Sequence, residues 1–169
     1  MEIRLFGTAN DSIVDGPGIR FAIFTQGCYH NCEGCHNPES HDVDGGYLED
    51  CDKLIKQIAE NSLLDGVTFS GGEPFLQAKP LTYIAKEVKA LGLNTMAYTG
   101  YLFEDLLNGA NEDNGWREFL DYIDILVDGK FVLAERSIEL NFKGSKNQRL
   151  IDVKASLDGN KVILSEYDK

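Results

Sequence analysis

Short apolar runs alternate with helix-periodic stretches through most of this chain, and that alternation constrains its fold more than any other feature. Ile19–Thr25 is an apolar run bounded by Gly18 and Gly27, the pattern of a buried strand. Glu49–Glu60 follows, with Cys51, Leu54, Ile55 and Ile58 at helical spacing. Gly66–Phe69 reads as the next strand and ends in Gly71-Gly72. Leu81, Ile84, Ala85, Val88 and Leu91 share one helical face, closed by Gly92. Leu93–Tyr98 and Ile123–Val127 are further strands, separated by helical stretches over 102–107 and 116–122. Parallel neighbours need a crossover, so this alternation predicts an α/β fold with a mostly parallel sheet. About four such units are present, whereas a closed barrel needs eight and typically about 250 residues. The expected architecture is a partial (incomplete) βα barrel or open twisted sheet. In the tail, Ile151–Leu157 and Lys161–Leu164 flank Leu157-Asp158-Gly159-Asn160, which predicts a C-terminal β-hairpin.

At 169 residues the chain is expected to form a single domain, 1–169, large enough to be stable without disulfides. Its 16 Lys+Arg against 28 Asp+Glu give a net charge of −12. That balance disfavours nucleic acid and anionic membrane surfaces as partners, since both reward a basic patch. No apolar run approaches the ~20 residues of a membrane span. Met1-Glu2-Ile3-Arg4-Leu5 lacks a basic segment leading into an apolar one, so no export signal is expected. A reducing cytoplasmic setting follows, in which the four cysteines are thiolates with a task rather than disulfides.

Three of them lie in Cys28-Tyr29-His30-Asn31-Cys32-Glu33-Gly34-Cys35, just past the strand ending near Thr25. Ligands of parallel α/β folds collect at that edge of the sheet. Three thiolates in so short a loop can wrap one soft metal centre, and on a four-iron cluster they leave one iron open. Cys32 and Cys35 with Cys51 imitate part of a zinc site, but the fourth position is Leu54. Cys51 shares the apolar stripe of its helix and reads as a core residue. A zinc site of three cysteines with His36 or His41 is a further alternative. His30 and His41 otherwise read as exposed loop residues. Ser70-Gly71-Gly72-Glu73-Pro74 follows the next strand, where two glycines let backbone approach a ligand and Glu73 can take a cationic amine. Val127-Asp128-Gly129-Lys130 ends the last parallel strand; Lys130 would hold a carboxylate with Asp128 orienting it. Both segments also have a plain reading as turns.

Taken together, Cys28-x3-Cys32-x2-Cys35 and Gly71-Gly72-Glu73-Pro74 resemble the radical S-adenosylmethionine superfamily. Val14-Asp15-Gly16-Pro17-Gly18-Ile19-Arg20 resembles the branch that activates glycyl radical enzymes. Tyr98-Thr99-Gly100-Tyr101, Leu126–Phe131 and Phe142–Arg149 are similar to activating proteins of anaerobic ribonucleoside-triphosphate reductases. The pyruvate formate-lyase activating enzymes share the segments at 15–20 and 35–38 but are longer. The resemblance implies a 4Fe–4S cluster on Cys28, Cys32 and Cys35. It also implies S-adenosylmethionine bound near Gly34, Cys35, His36, Gly71, Gly72, Glu73, Asp128 and Lys130. Where the superfamily often has an aromatic before the third cysteine, this chain has Gly34, so Tyr29 or His36 would pack on the cofactor instead. One electron would cleave the sulfonium, and the resulting 5′-deoxyadenosyl radical would take a hydrogen from a glycine of the reductase. A low-potential donor such as flavodoxin would supply the electron. A different class stays open, a non-catalytic iron–sulfur or zinc module. The basic island Lys143, Lys146 and Arg149, with Arg136 upstream, reads either as a solvated loop or as a contact surface for the reductase or the cofactor.

Overall fold

The computed structural model describes residues 1–168. Seven strands form one sheet: β1 (Glu2–Ser12), β2 (Arg20–Thr25), β3 (Tyr47–Asp50), β4 (Gly66–Gly71), β5 (Asn94–Tyr98), β6 (Ile125–Asp128) and β7 (Arg149–Asp152). Their spatial order is β3-β1-β2-β4-β5-β6-β7. The four central strands, β2, β4, β5 and β6, are parallel neighbours. β1 lies antiparallel between β2 and β3, and β7 runs antiparallel to β6. Five of the seven strands therefore share one direction, and β3 and β7 are the outermost strands, with Leu164 bridged antiparallel to Ile151 of β7. The sheet is not closed into a barrel.

Helices α1 (Cys51–Glu60), α2 (Ala78–Ala90), α3 (Phe103–Gly109) and α4 (Trp116–Asp121) make the crossovers. The alternation of strand side chains explains why they gather on one face. Phe21, Ile23, Val67, Phe69, Ala97 and Leu126 share the main core with Leu54 and Ile58 of α1, Leu81 and Ile84 of α2, Phe103 of α3 and Phe119 of α4. Cys51 is fully buried in this core, as its helical stripe predicts. The intervening strand positions form a smaller cluster of Met96, Ile125, Val127 and Leu150, with Tyr98 and Phe142 packed on it. No described helix is long and apolar enough to cross a membrane.

The C-terminal β-hairpin is reduced to one antiparallel bridge, Ile151 to Leu164, and a helix takes the place of its turn. Val153–Gly159 is a helix, α5, started by Asp152, whose side chain accepts from Ala155 N at 3.0 Å. Asn160, at φ +55°, ends it in the left-handed conformation. The Asp-Gly-Asn segment thus serves as a helix terminator, which needs the same positive φ as a hairpin turn. β6 also lacks a following crossover helix and leads through a long connection to β7. The eleven-residue β1, preceding all predicted strands, is an additional element.

Candidate functional site

The cysteine loop leaves the C-terminal end of β2 and bends at Gly27, Asn31 and Gly34, with φ of +111°, +51° and +75°. Its start is tied down by Gly27 N donating to Ser40 O (2.6 Å) and Cys28 N to His41 O (3.1 Å). A turn from Cys35 N to Cys32 O (3.2 Å) brings the last two cysteines together. All three thiols are free and half-buried, and they line one cleft of about 780 Å³. Burial raises the Cys28 thiol above its usual range, and the charges of Glu73, Cys32 and Cys35 push the same way. Three crowded acids beside a carboxylate suit a cationic iron centre, which would offset that repulsion. Among the described residues, no three His, Cys, Asp or Glu side chains converge at the spacing of a single-ion site. Cys51 stands apart in the core, its thiol pushed up to about 11 by burial.

Beside this loop, the register Thr25↔Gly71 sets the end of β4 against the end of β2. Gly72 N donates to Thr25 O (2.8 Å) and Glu73 N to Gly27 O (2.7 Å). A Cβ on Gly71 would lie 2.3 Å from Thr25 N, and one on Gly72 2.3 Å from Gly27 O. The two glycines thus let the Gly71–Glu73 turn close backbone-to-backbone on the root of the cysteine loop, while both also line the cleft. Glu73 is 1% exposed. Its Oε1 accepts from His30 Nε2 (2.6 Å), Gly100 N (2.7 Å) and Thr99 Oγ1 (2.9 Å), and its Oε2 from Phe75 N (3.0 Å). The expectation that His30 is exposed is therefore overturned. Its side chain is 9% exposed and stacks edge-on against Tyr101, with ring centroids 4.6 Å apart. Gly100 makes room for it, since a Cβ there would meet the ring at 2.5 Å. His41 is not a free loop residue either: it is half-buried, with Nε2 3.3 Å from Cys35 Sγ. Tyr29, by contrast, is 73% exposed. His36 lines the cleft with its ring against Phe131, centroids 5.1 Å apart.

Asp128 does not orient Lys130. It is fully buried and receives Phe103 N at 2.8 Å and Arg149 Nε at 3.0 Å. Asp128 and Arg149 are cross-strand partners in the β6–β7 register, which explains the pairing. Arg149 reaches on to Glu104 (2.6 Å), and these hydrogen bonds raise the guanidinium's pKa and lower that of Glu104. Lys130 is exposed, and its carbonyl accepts from Asn147 Nδ2 (2.8 Å). Segment 142–149 is not a solvated loop but a strap knitted to the sheet. Gln148 accepts from Gly144 N (2.8 Å) and donates to Gly129 O (2.9 Å). Tyr98 OH donates to Phe142 O, and Lys143 pairs with Asp168 at 2.7 Å. Phe142, Gly144 and Gln148 of the strap, with Phe131, line the same cleft as the cysteines. Glu73, Asp128, Lys130 and Gly34 do not line it.

The loop before β2 forms its rim through Val14 and Asp15. Arg20, 1% exposed, anchors that loop by donating to Pro17 O (2.9 Å), Thr68 Oγ1 (2.7 Å) and Asn94 Oδ1 (2.8 Å). Burial lowers its pKa to about 10.

Residues 14–151 match a family model described as a 4Fe-4S single cluster domain. A relative from Haemophilus influenzae, an anaerobic ribonucleoside-triphosphate reductase-activating protein, is 35% identical over 146 residues, 80% of this chain and 89% of that protein. The chain belongs to this family of reductase-activating proteins. Relatives of the same description from Vibrio cholerae and Escherichia coli are 32% and 34% identical, covering 89% and 90% of their own lengths. The matched span takes in the loop at 14–20, all three cleft cysteines, the Gly71–Glu73 turn and the strap. It is the part of the family member that builds the cleft.

Proposed function

We propose that this chain activates an anaerobic ribonucleoside-triphosphate reductase by installing a glycyl radical on it, using S-adenosylmethionine at a 4Fe–4S cluster held by Cys28, Cys32 and Cys35. The observation that carries the reading is one cleft bounded by three free thiols on one side and the Gly71-Gly72 turn beside them. Its volume of about 780 Å³ lies within the ~300–1,000 Å³ of small-molecule sites. When bound, cluster and S-adenosylmethionine supply one-electron cleavage of the sulfonium and hydrogen abstraction from a glycine Cα of the reductase, releasing methionine and 5′-deoxyadenosine.

The chain's own residues hold and insulate that chemistry. Cys28, Cys32 and Cys35 would hold the cluster through three thiolates, a set that would leave one iron open to S-adenosylmethionine. Gly71 and Gly72 offer backbone to its amine, and Glu73 holds them by clamping His30, Thr99 and Gly100. Gly34 permits the bend before Cys35, and His36 with Phe131 gives an aromatic wall. Asp128 acts through Arg149 by fastening the strap, and Lys130, outside the cleft, takes part through its carbonyl, which accepts from Asn147 of the strap. Val14 and Ile138, 75% and 99% exposed at the cleft mouth, suit a protein substrate that completes the enclosure and excludes water. The open sheet serves as a shortened counterpart of a βα barrel, leaving room for that partner. A low-potential donor such as flavodoxin, in a reducing cytoplasm, completes the scheme.

The test is anaerobic reconstitution followed by S-adenosylmethionine titration, monitored by electron paramagnetic resonance (EPR) of the reduced cluster. About four irons per chain, a signal altered by S-adenosylmethionine, and loss of iron in Cys28→Ala, Cys32→Ala and Cys35→Ala but not Cys51→Ala are expected. A full cluster without Cys32, or a signal indifferent to S-adenosylmethionine, overturns the reading.

A further inference from the structure

His41 lies six residues beyond Cys35, outside the cysteine motif, yet it contacts the motif at two points. Its carbonyl accepts from Cys28 N (3.1 Å), and its ring Nε2 lies 3.3 Å from Cys35 Sγ. The short 3₁₀ turn Pro38–Ser40 sets this position, with His41 N donating to Pro38 O at 3.2 Å. Ser40, fully buried, locks the turn through its Oγ on Asn37 O (2.6 Å) and its carbonyl on Gly27 N (2.6 Å). The imidazole is therefore delivered by a backbone tied on both sides, and it lines the cleft beside the sulfur.

We propose that His41 is a positioning residue for the cluster: its Nε2–H donates a hydrogen bond to the iron-bound thiolate of Cys35 and makes the cluster easier to reduce. The inference rests on the reading of Cys35 as a cluster ligand. A thiolate bound to iron has no proton, so the hydrogen bond across 3.3 Å takes its proton from the imidazole. A donor to a ligating sulfur stabilises the more negative, reduced cluster, and hydrogen bonds to sulfur are one of the levers that set iron–sulfur potentials. The ring sits against the sulfur in the cleft lining, so a variant must keep its bulk for the hydrogen bond alone to be tested.

The experiment uses the full chain, reconstituted anaerobically without S-adenosylmethionine, for wild type, His41→Phe, His41→Gln and Cys35→Ala. Iron and sulfide are measured first, then the midpoint potential by EPR-monitored redox titration. At full loading, His41→Phe is expected to shift the midpoint to more negative potential, with His41→Gln, which retains an N–H donor, between it and wild type. An unchanged or more positive midpoint in fully loaded His41→Phe overturns the inference. Wild-type protein labelled with ¹⁵N-histidine gives a second readout that needs no variant. Weak nitrogen coupling fits a hydrogen bond through sulfur, whereas the strong coupling of a direct iron–nitrogen bond makes His41 a ligand and overturns the proposal. A full cluster in Cys35→Ala instead refutes the ligand reading itself.

Discussion

Glu73→Ala should unsettle the apoprotein before any cofactor is considered. The carboxylate is 1% exposed and accepts from His30 Nε2, Phe75 N, Gly100 N and Thr99 Oγ1. Thr99 can rotate its hydroxyl elsewhere, but the other three donors are fixed by backbone or packing. Each stranded buried donor costs about 1–3 kcal/mol. Water entering the vacated space recovers part of that, so a net loss of about 3–5 kcal/mol is expected, in line with breaking a buried pair. Against a total stability of about 5–15 kcal/mol, the shift in urea midpoint should be unmistakable at pH 7. Glu73→Gln keeps one acceptor but turns an amide NH₂ toward N–H donors, so it should fall between the two. An Ala variant within about 1 kcal/mol of wild type, with only S-adenosylmethionine affinity reduced, would refute the clamp and return Glu73 to direct ligand contact.

Arg149→Ala strands the fully buried Asp128 and should cost about 3–5 kcal/mol. Lys130→Ala, at an exposed position, should stay within about 0.5 kcal/mol; equal losses in denaturation would contradict the pairing assigned here. Gly100→Ala puts a Cβ 2.5 Å from the His30 ring, so the His30 imidazole resonances should move in NMR spectra and iron retention should fall. Alkylation of the native apoprotein at pH 8 should modify Cys28, Cys32 and Cys35 well before Cys51, which is fully buried with its thiol raised to about 11. Because that value exceeds the ordinary 9.0, the neutral thiol's contribution is complete below pH 9 and fades as pH rises toward 11. Cys51→Ala should accordingly flatten the alkaline fall in stability, as measured by urea unfolding across that range.

The parallel centre of the sheet was readable because β2, β4, β5 and β6 are buried apolar runs, and the helices between them keep clear apolar stripes. β1 carries no strand pattern because Ile3 and Leu5 are its only fully buried positions and its far end is the polar Asn10-Asp11-Ser12. The tail is ambiguous in sequence because a left-handed residue such as Asn160 ends a helix and makes a hairpin turn alike. At the site, the cysteines and the Gly71-Gly72 turn declare themselves through spacing. His30 does not, because its partner Glu73 lies 43 residues away. The pairing of Asp128 with Arg149 depends on β7 lying antiparallel beside β6, which no local pattern near Arg149 announces. His41 is likewise brought to Cys35 by the buried turn at Ser40, a tertiary contact rather than a motif.

Radical transfer to the reductase leaves both a spin and an isotope trace. The reconstituted, reduced chain is mixed anaerobically with S-adenosylmethionine and an anaerobic ribonucleoside-triphosphate reductase carrying α-deuterated glycine, then frozen for EPR. An organic radical centred on a glycine of the reductase, with deuterium appearing in the released 5′-deoxyadenosine, is the predicted result. Cleavage of S-adenosylmethionine with no radical on the reductase and no deuterium transfer would contradict it.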